Sequence, residues 1–427
     1  MTVKPSPANE PTRPVDIEPS TFPDRPRQGY APPATIDNVR HLLKENGVTV
    51  RYNVIKKRLE IRVPWAATTV DNGEDVAMTH ILSLASRYGM ATGLVPHMVS
   101  AIGDEAPFNP AAEWMRSSPW DGKDRFPGIC ATLTPRDDYP TKLRDALVTT
   151  WLISVAAAAT MLHGFRSRGV LTLQGGQGLG KTSWGLSLVN DPVLRDQLVK
   201  VDHHLDASNK DSVLGAIEHL IVEIGEVDSS FRRDVSRMKG FLTSGSDKVR
   251  RPYGKATSEY QRRTVFYATV NASTFLVDET GNTRFWTIPC VHIDFKHDID
   301  MQQVFAQCLH LLEQGASWFL SSEEEQMLEQ ENAKHRSFSM VRERLESVID
   351  RDADERCTFD KMTATEILQE SGLEYPTNVQ AKECASLLRE WFGEPSRIQG
   401  RYKWRVSLRS NNEKPLSTII PIKSKFD

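Results

Sequence analysis

The pattern of hydrophobic and polar positions divides the chain into stretches of distinct texture. Residues 1–36 carry Pro5, Pro7, Pro11, Pro14, Pro19, Pro23, Pro26, Pro32 and Pro33. Prolines at that spacing interrupt helices and strand ladders, so the pattern predicts a disordered Pro-rich tail over 1–36. From residue 37 the periodicity becomes globular. It predicts a helix over 37–45, strands over 48–52 and 59–63, and helices around 81–88 and 97–102. A turn-rich stretch runs from Asn109-Pro110 to Trp120-Asp121-Gly122. Residues 37–135 thus read as a small α+β domain without a catalytic signature of its own.

Beyond residue 139 the texture is α/β. Leu143, Leu147, Trp151 and Val155 form a helical stripe. The apolar run 146–162 around them is interrupted by Thr149, Thr150, Ser154 and Thr160, and is short of the roughly 20 apolar residues that span a membrane. Strand-like runs at 170–173, 198–201, 219–224, 264–270 and 284–288 are separated by helical segments, which predicts a parallel sheet covered on both faces. Helices follow over 301–319 and from Ser322, where Ser322 and Glu325 have capping-box spacing. An acidic, polar helical connector is expected over 321–355. Thr363 with Glu366, and Thr377 with Gln380, open two further helices before a strand pair around Arg397 and Trp404. Helix, helix and paired strands give a winged-helix order. The expected domains are 136–340 for the α/β unit, 341–408 for the connector and winged-helix-like unit, and 409–427 for a C-terminal tail.

Composition changes this picture little. The hydrophobic share is 39%, the charged share 26% and the net charge −3, which excludes a wholly basic nucleic-acid coat and sends the search for a DNA partner to local patches. Cys130, Cys290, Cys308, Cys357 and Cys384 form no CxxC pair, so neither a disulfide framework nor a zinc site is expected. No signal-peptide core opens the chain.

The chemistry concentrates in the α/β stretch. Gly175-Gly176-Gln177-Gly178-Leu179-Gly180-Lys181-Thr182 fits GxxxxGK[ST] in full, with a strand before it and a helix, opening through Ser183, after it. The glycines let backbone N–H groups turn around phosphates, Lys181 reaches the β- and γ-phosphates, and the Thr182 hydroxyl ligates Mg²⁺. ATP and Mg²⁺ are therefore the expected ligands. The apolar strand His219-Leu-Ile-Val-Glu223-Ile-Gly-Glu226 delivers two carboxylates at its end. Glu223 is assigned to the metal and Glu226 to the attacking water, although the spacing also permits the reverse. Asn271 closes the strand Thr264-Val-Phe-Tyr-Ala-Thr-Val-Asn271, where it can orient water or sense the γ-phosphate. Arg284, after the turn Gly281-Asn282-Thr283, is a candidate arginine finger. Asn209-Lys210-Asp211 lacks the NKxD spacing that reads guanine, which disfavours a GTPase.

Residues 231–263 hold ten Lys/Arg against three acids, including Lys239, Lys248, Arg250, Arg251, Lys255, Arg262 and Arg263, with Phe241, Tyr253 and Tyr260 interleaved. A basic loop inside an ATPase suits a DNA phosphate backbone. A second basic stretch includes Arg397, Arg401, Lys403, Arg405 and Arg409 and suits duplex or forked DNA.

Taken together, Trp120-Asp-Gly-Lys-Asp-Arg125, the glycine loop through Trp184, Val222-Glu-Ile-Gly-Glu226, Met238-Lys239, Arg251-Pro-Tyr-Gly254, Thr269-Val-Asn271 and Asp278 through Trp286 resemble the virulence-associated protein E family. These are phage and mobile-element P-loop ATPases similar to superfamily 3 helicases. The resemblance implies an AAA+-like P-loop NTPase fold and a homo-oligomeric, hexameric ring in the bacterial cytoplasm. It implies 3′-to-5′ translocation on single-stranded DNA, a separate primase or polymerase as partner, and no membrane. It further implies an active site of Lys181, Thr182, Glu223, Glu226 and Asn271, with Arg284 acting in trans. Thr283 stands where the family usually has the first of two arginines, so Arg284 acts alone, or Arg251 or Arg263 shares its role. Many relatives carry a primase domain ahead of the ATPase; residues 1–135 show no carboxylate motif suited to one. A DNA-binding ATPase switch or replication-initiation loader without unwinding activity is the alternative.

Overall fold

The structure is a computed structural model that describes residues 13–25, 30–66, 72–225, 240–249, 258–272, 282–335, 340–351, 353 and 358–409. Described residues through Lys334 form one compact unit and those from His335 a second.

The first unit opens with a small module: α1 (Ile36–Glu45), β1 (Thr49–Asn53), β2 (Arg58–Arg62), α2 (Gly73–Arg87), α3 (Val95–Asp104) and β3 (Pro107–Phe108). Its sheet has the order β2-β1-β3, antiparallel between β1 and β2 and parallel between β1 and β3. Thr35 caps α1 by accepting from Asn38 N–H, and Val39, Leu42 and Leu43 bury the opposite face.

The Pro-rich segment expected to be a disordered tail is, over its described residues, a packed strap. Phe22 is 1% exposed between His41 and Tyr88, whose rings lie 5.3 and 5.5 Å from its own, and Ile17 is buried beside it. Asn46 accepts from Val15 N–H, and Asn38 accepts from Asp24 N–H. Two apolar side chains with side-chain acceptors for the backbone hold a segment in place that has no ladder of its own.

A second core follows. Its elements are α4 (Pro110–Met115), α5 (Phe126–Ala131), β4 (Leu133–Pro135), α6 (Thr141–Thr160), β5 (Val170–Gln174), α7 (Lys181–Ser187), α8 (Pro192–Leu198), β6 (Val199–His203), α9 (Lys210–Ile217), β7 (Ile221–Ile224), β8 (Ser246–Val249), β9 (Ser258–Gln261), β10 (Val265–Val270), β11 (Phe285–Ile293), α10 (Met301–Glu313) and α11 (Ser322–Ala333). Ala111, Met115, Ile129, Cys130 and Leu133 pack in this core rather than with the small module. The main sheet has the order β4-β11-β5-β10-β7-β6. Five strands run parallel, as the apolar runs predict, and β4 adds an antiparallel edge on β11. Consecutive residues of β5, β7 and β10 are buried, so both faces of the sheet are covered. Helix α6 is buried nearly all round, not along one stripe, and Trp151 Nε1 donates to Phe266 O at 2.8 Å.

Three local expectations shift. Helix α10 ends at Glu313 instead of reaching 319. The capping box of α11 is Ser321 with Glu324, one residue earlier than the sequence spacing suggested. The expected connector over 321–355 does not exist as such, because α11 packs on β11 in the first unit, where Asn332 Nδ2 donates to Phe285 O.

The Trp120–Arg125 motif is structural. Gln303, Gln307 and His310 form one stripe of α10 at helical spacing. Gln303 Oε1 accepts from Asp121 N–H, Gln307 Oε1 accepts from Arg125 N–H, and the Trp120 and His310 rings lie 4.8 Å apart.

The second unit comprises α12 (Met340–Val348), β12 (Asp360–Met362), α13 (Ala364–Glu370), α14 (Asn378–Phe392), β13 (Ser396–Ile398) and β14 (Arg401–Val406). Capping boxes at Thr363/Glu366 and Thr377/Gln380 open α13 and α14 as expected. The strand pair gains a third member in the order β12-β14-β13, over a core of Leu345, Ile367, Leu388 and Trp404. Cys130, Cys290, Cys308 and Cys384 are buried and unpaired. Among the described residues no helix is long and apolar enough to cross a membrane.

Candidate functional site

The glycine loop connects the carboxyl end of β5 to the start of α7. Gly178 and Gly180 sit in the left-handed region at φ 79° and 92°, which non-glycine residues enter at a cost. The loop borders a cavity of about 620 Å³, lined from neighbouring strands by Asp202, Glu223, Thr269, Asn271 and Phe295, among others. Gln177 through Ser183 line the same cavity. Gly175 and Gly176 contribute carbonyl oxygens instead.

Lys181 is 7% exposed, and its Nζ donates to Gly175 O at 2.7 Å, Gly176 O at 2.8 Å and Asn271 Oδ1 at 2.8 Å. Burial lowers its pKa from the ordinary lysine value. Its three oxygen partners hold the ammonium at the loop. Asn271, placed by β10, is thus joined to Lys181 directly.

Glu223, on the buried strand β7, is held at both carboxylate oxygens. Thr182 and Thr269 hydroxyls donate to Oε1 at 2.6 and 2.9 Å, and Asp202 N–H donates to Oε2 at 3.0 Å. Asp202 has the left-handed φ of 53°. A Cβ on Gly225 would stand 2.6 Å from Asp202 Oδ1 and 3.3 Å from Asp202 Cα, so the Asp202 side chain would have to turn and its backbone give by a few tenths of an ångström. Asp202 and Phe295 escaped the sequence reading, which took Thr269 only as part of a motif and gave it no role. Each sits at or beyond the carboxyl end of a different strand, and only the sheet order brings it to the loop.

The donor set fits a metal–nucleotide complex. It provides loop N–H groups and a lysine ammonium for phosphates, and a threonine hydroxyl that donates its hydrogen bond to an anchored carboxylate, leaving its lone pairs for a cation. Glu226 lies outside the described residues, as do Lys239, Arg250, Arg251 and Lys255.

The remaining basic candidates divide. Arg262 is fully buried, with Nε donating to Asp247 Oδ2 at 2.6 Å and its guanidinium 4.4 Å from the Phe241 ring centre. Arg263 Nη1 donates to Ala159 O and Met161 O at the end of α6. Arg262 is thus sealed from DNA and from nucleotide, whereas Arg263 is half-buried and held by one nitrogen at the end of α6. The stretch expected as a basic loop contains the hairpin β8–β9, on which Lys248 is exposed and 3.5 Å from Glu259. On β14, Arg401, Lys403 and Arg405 alternate with Trp404 and Val406, which face the core. Lys361 on β12 pairs with Arg405, and Lys403 Nζ stands 3.7 Å from Glu366.

Arg284 precedes β11 and lines a separate cavity of about 300 Å³ with Arg166, Arg168, Thr283 and Glu325. Its neighbour Phe285 pairs with Val170, the first residue of β5, whereas the glycine loop follows the last. At about 3.3 Å per strand residue, roughly 16–20 Å separates Arg284 from the loop of its own chain.

No curated protein matches the chain. Among solved structures, an apo structure of the NrS-1 C-terminal region (305–718) is 14% identical, with a TM-score of 0.45 and coverage of 87% of this chain and 98% of that one. An A-form apo structure of the same region gives 14%, a TM-score of 0.43 and coverage of 87% and 99%. A family profile, the virulence-associated protein E-like domain, matches residues 115–337, more than half of the 427-residue chain and the whole span from α5 to β11. The chain belongs to the virulence-associated protein E-like domain family.

Proposed function

We propose that the protein is a P-loop ATPase that drives DNA strand separation in the replication of a phage or mobile element, working as a homo-oligomeric ring. The observation that carries this reading is the convergence of Lys181, Thr182, Glu223 and Asn271 on one glycine loop, from three adjacent parallel strands.

In this reading the loop N–H groups and the N-terminal end of α7 bind the β- and γ-phosphates of ATP. Lys181 exchanges its carbonyl partners for phosphate oxygens. Thr182 would hold Mg²⁺, with Glu223 fixing the Thr182 hydroxyl and acting from behind it; the ion would supply positive charge to the β- and γ-phosphate oxygens. Asn271 orients the attacking water, and Glu226 takes its proton as the γ-phosphoryl group leaves ADP. Arg284, too far from its own loop, serves the nucleotide of a neighbouring copy. The outward basic column of β14 and the hairpin bearing Lys248 contact DNA phosphates. Bacterial cytoplasm is the compartment this role implies.

The test compares wild type with Lys181→Ala in ATP hydrolysis, with and without single-stranded DNA, beside unwinding of a forked duplex. DNA-stimulated hydrolysis and fork opening are expected in wild type. Lys181→Ala should lower hydrolysis by about 100-fold or more, since it removes a charge aimed at the transferred phosphoryl group. Stimulated hydrolysis with closed forks at every salt concentration would replace the motor with an ATP-driven switch or loader.

A further inference from the structure

The site has two flanks, and Asp202, Glu223, Thr269 and Asn271 all occupy one of them. Strand β5 lies between β10 and β11 in the main sheet. Glu223 and Asn271 come from the β10 side, on β7 and directly after β10. Phe295 comes from the other side, two residues beyond β11. A nucleotide whose γ-phosphate lies by Lys181, Asn271 and Glu223 can extend its base across the loop to the β11 flank, where Phe295 borders the same cavity.

Phe295 is the one aromatic side chain among the described residues that line the cavity. It is half-buried, with its inner part packed against the main core. It rests on the loop itself: a Cβ on Gly180 would come within 2.3 Å of Phe295 Cδ1. Two residues on, His297 Nε2 pairs with Ser187 Oγ of α7 at 3.0 Å, which ties this segment to the helix that follows the loop. The exposed Lys296 ammonium stands 5.8 Å from the ring centre. A cation at that distance is weakly bound and a stacking base can displace it.

We infer that Phe295 is the platform on which the nucleobase stacks. The ring takes the base of a nucleoside triphosphate on its face, while the loop takes the phosphates. The inference rests on the ATPase reading, and its test separates the two by using a ligand without a base.

Isothermal titration of Mg-ATP and of Mg-tripolyphosphate would be run on wild type, Phe295→Leu, Phe295→Trp and Lys181→Ala. Phe295→Leu keeps apolar bulk over Gly180 but no aromatic face. It should bind ATP about tenfold more weakly, in line with base–aromatic stacking, and tripolyphosphate as wild type does. Phe295→Trp should keep ATP affinity, and ATP but not tripolyphosphate should quench the introduced indole. This second variant carries the test if the leucine variant does not fold. Unchanged ATP affinity in Phe295→Leu, an equal loss for both ligands, or an indole blind to ATP overturns the platform. If Lys181→Ala binds both ligands as tightly as wild type, the ATPase reading itself fails.

Discussion

At the residue scale, Glu223 shows how the site is set before any ligand arrives. A carboxylate accepts only, and three donors on three different elements fix both its oxygens. One donor, Asp202 N–H, depends on a left-handed backbone kept in place opposite Gly225. Gly225→Ala should therefore turn the Asp202 side chain and press on its backbone, loosening the N–H that holds Glu223. ATP turnover is expected to fall about ten- to a hundredfold, the scale of small misplacements, with little change in melting temperature; turnover near wild type would show that Asp202 does not hold Glu223. Lys57 is a different case. It is 2% exposed, its Nζ donates to Ile217 O at 2.6 Å, and burial pulls its pKa down to about 7. Unfolded, the same lysine titrates near 10.4, so from about pH 7 to about pH 10 the unfolded chain binds more protons and stability rises with pH. Below about pH 7 the full cost of the buried ammonium is present. Lys57→Met should remove this dependence, so wild type gains on the variant by up to about 1.4 kcal/mol per pH unit through that window. Urea unfolding at several pH values checks it, and parallel stability curves would rule it out.

At the scale of elements, the hairpin β8–β9 is pinned by a buried ion pair, Asp247 with Arg262, and by the Phe241 ring. Asp247→Ala strands a buried guanidinium and should cost about 3–5 kcal/mol, more than Asp247→Leu combined with Arg262→Met, which removes both charges. Equal losses in thermal unfolding would show the pair to be incidental. On β14, Arg401→Ala with Lys403→Ala should weaken DNA binding across sequences and flatten its salt slope by about two, one per phosphate contact. An unchanged slope would take β14 out of the DNA path. These elements also mark what the sequence could tell. The central strands were legible because a strand buried on both faces must be a continuous apolar run, as at 170–173 and 264–270. The glycine loop was legible because a loop built to hold phosphates needs these residue types in this order. Strands β4, β8 and β9 were not, being short or polar and formed only by pairing. Arg262 and Arg263 looked like part of a DNA-binding run, since local sequence does not show that one meets a buried carboxylate and the other the end of α6. Asp202 and Phe295 carry no motif, because strand order rather than spacing brings them to the loop.

At the scale of the whole molecule, the sheet places its two chemical ends on opposite sides. The glycine loop sits at the carboxyl ends of the parallel strands, and Arg284, with Arg166 and Arg168, at the amino ends. None of these three arginines has an ion-pair partner among the described residues, although they share one concavity. A strand's length is too far for an arginine to span, so one chain cannot bring Arg284 to its own glycine loop. If Arg284 serves catalysis, two copies must meet, with the amino-end cavity of one against the loop of the next. This head-to-tail contact closes into a ring when its rotation allows. The consequence can be measured by mixing. Lys181→Ala lacks a working loop but keeps its arginine, and Arg284→Ala has the reverse defect; each alone should hydrolyse ATP poorly. Mixed, some interfaces pair an intact loop with an intact arginine, so activity should rise above either variant alone and depend on the mixing ratio. Activity that stays at the average of the two at every ratio would mean that each chain works alone, and that the arginine cavity serves something other than ATP.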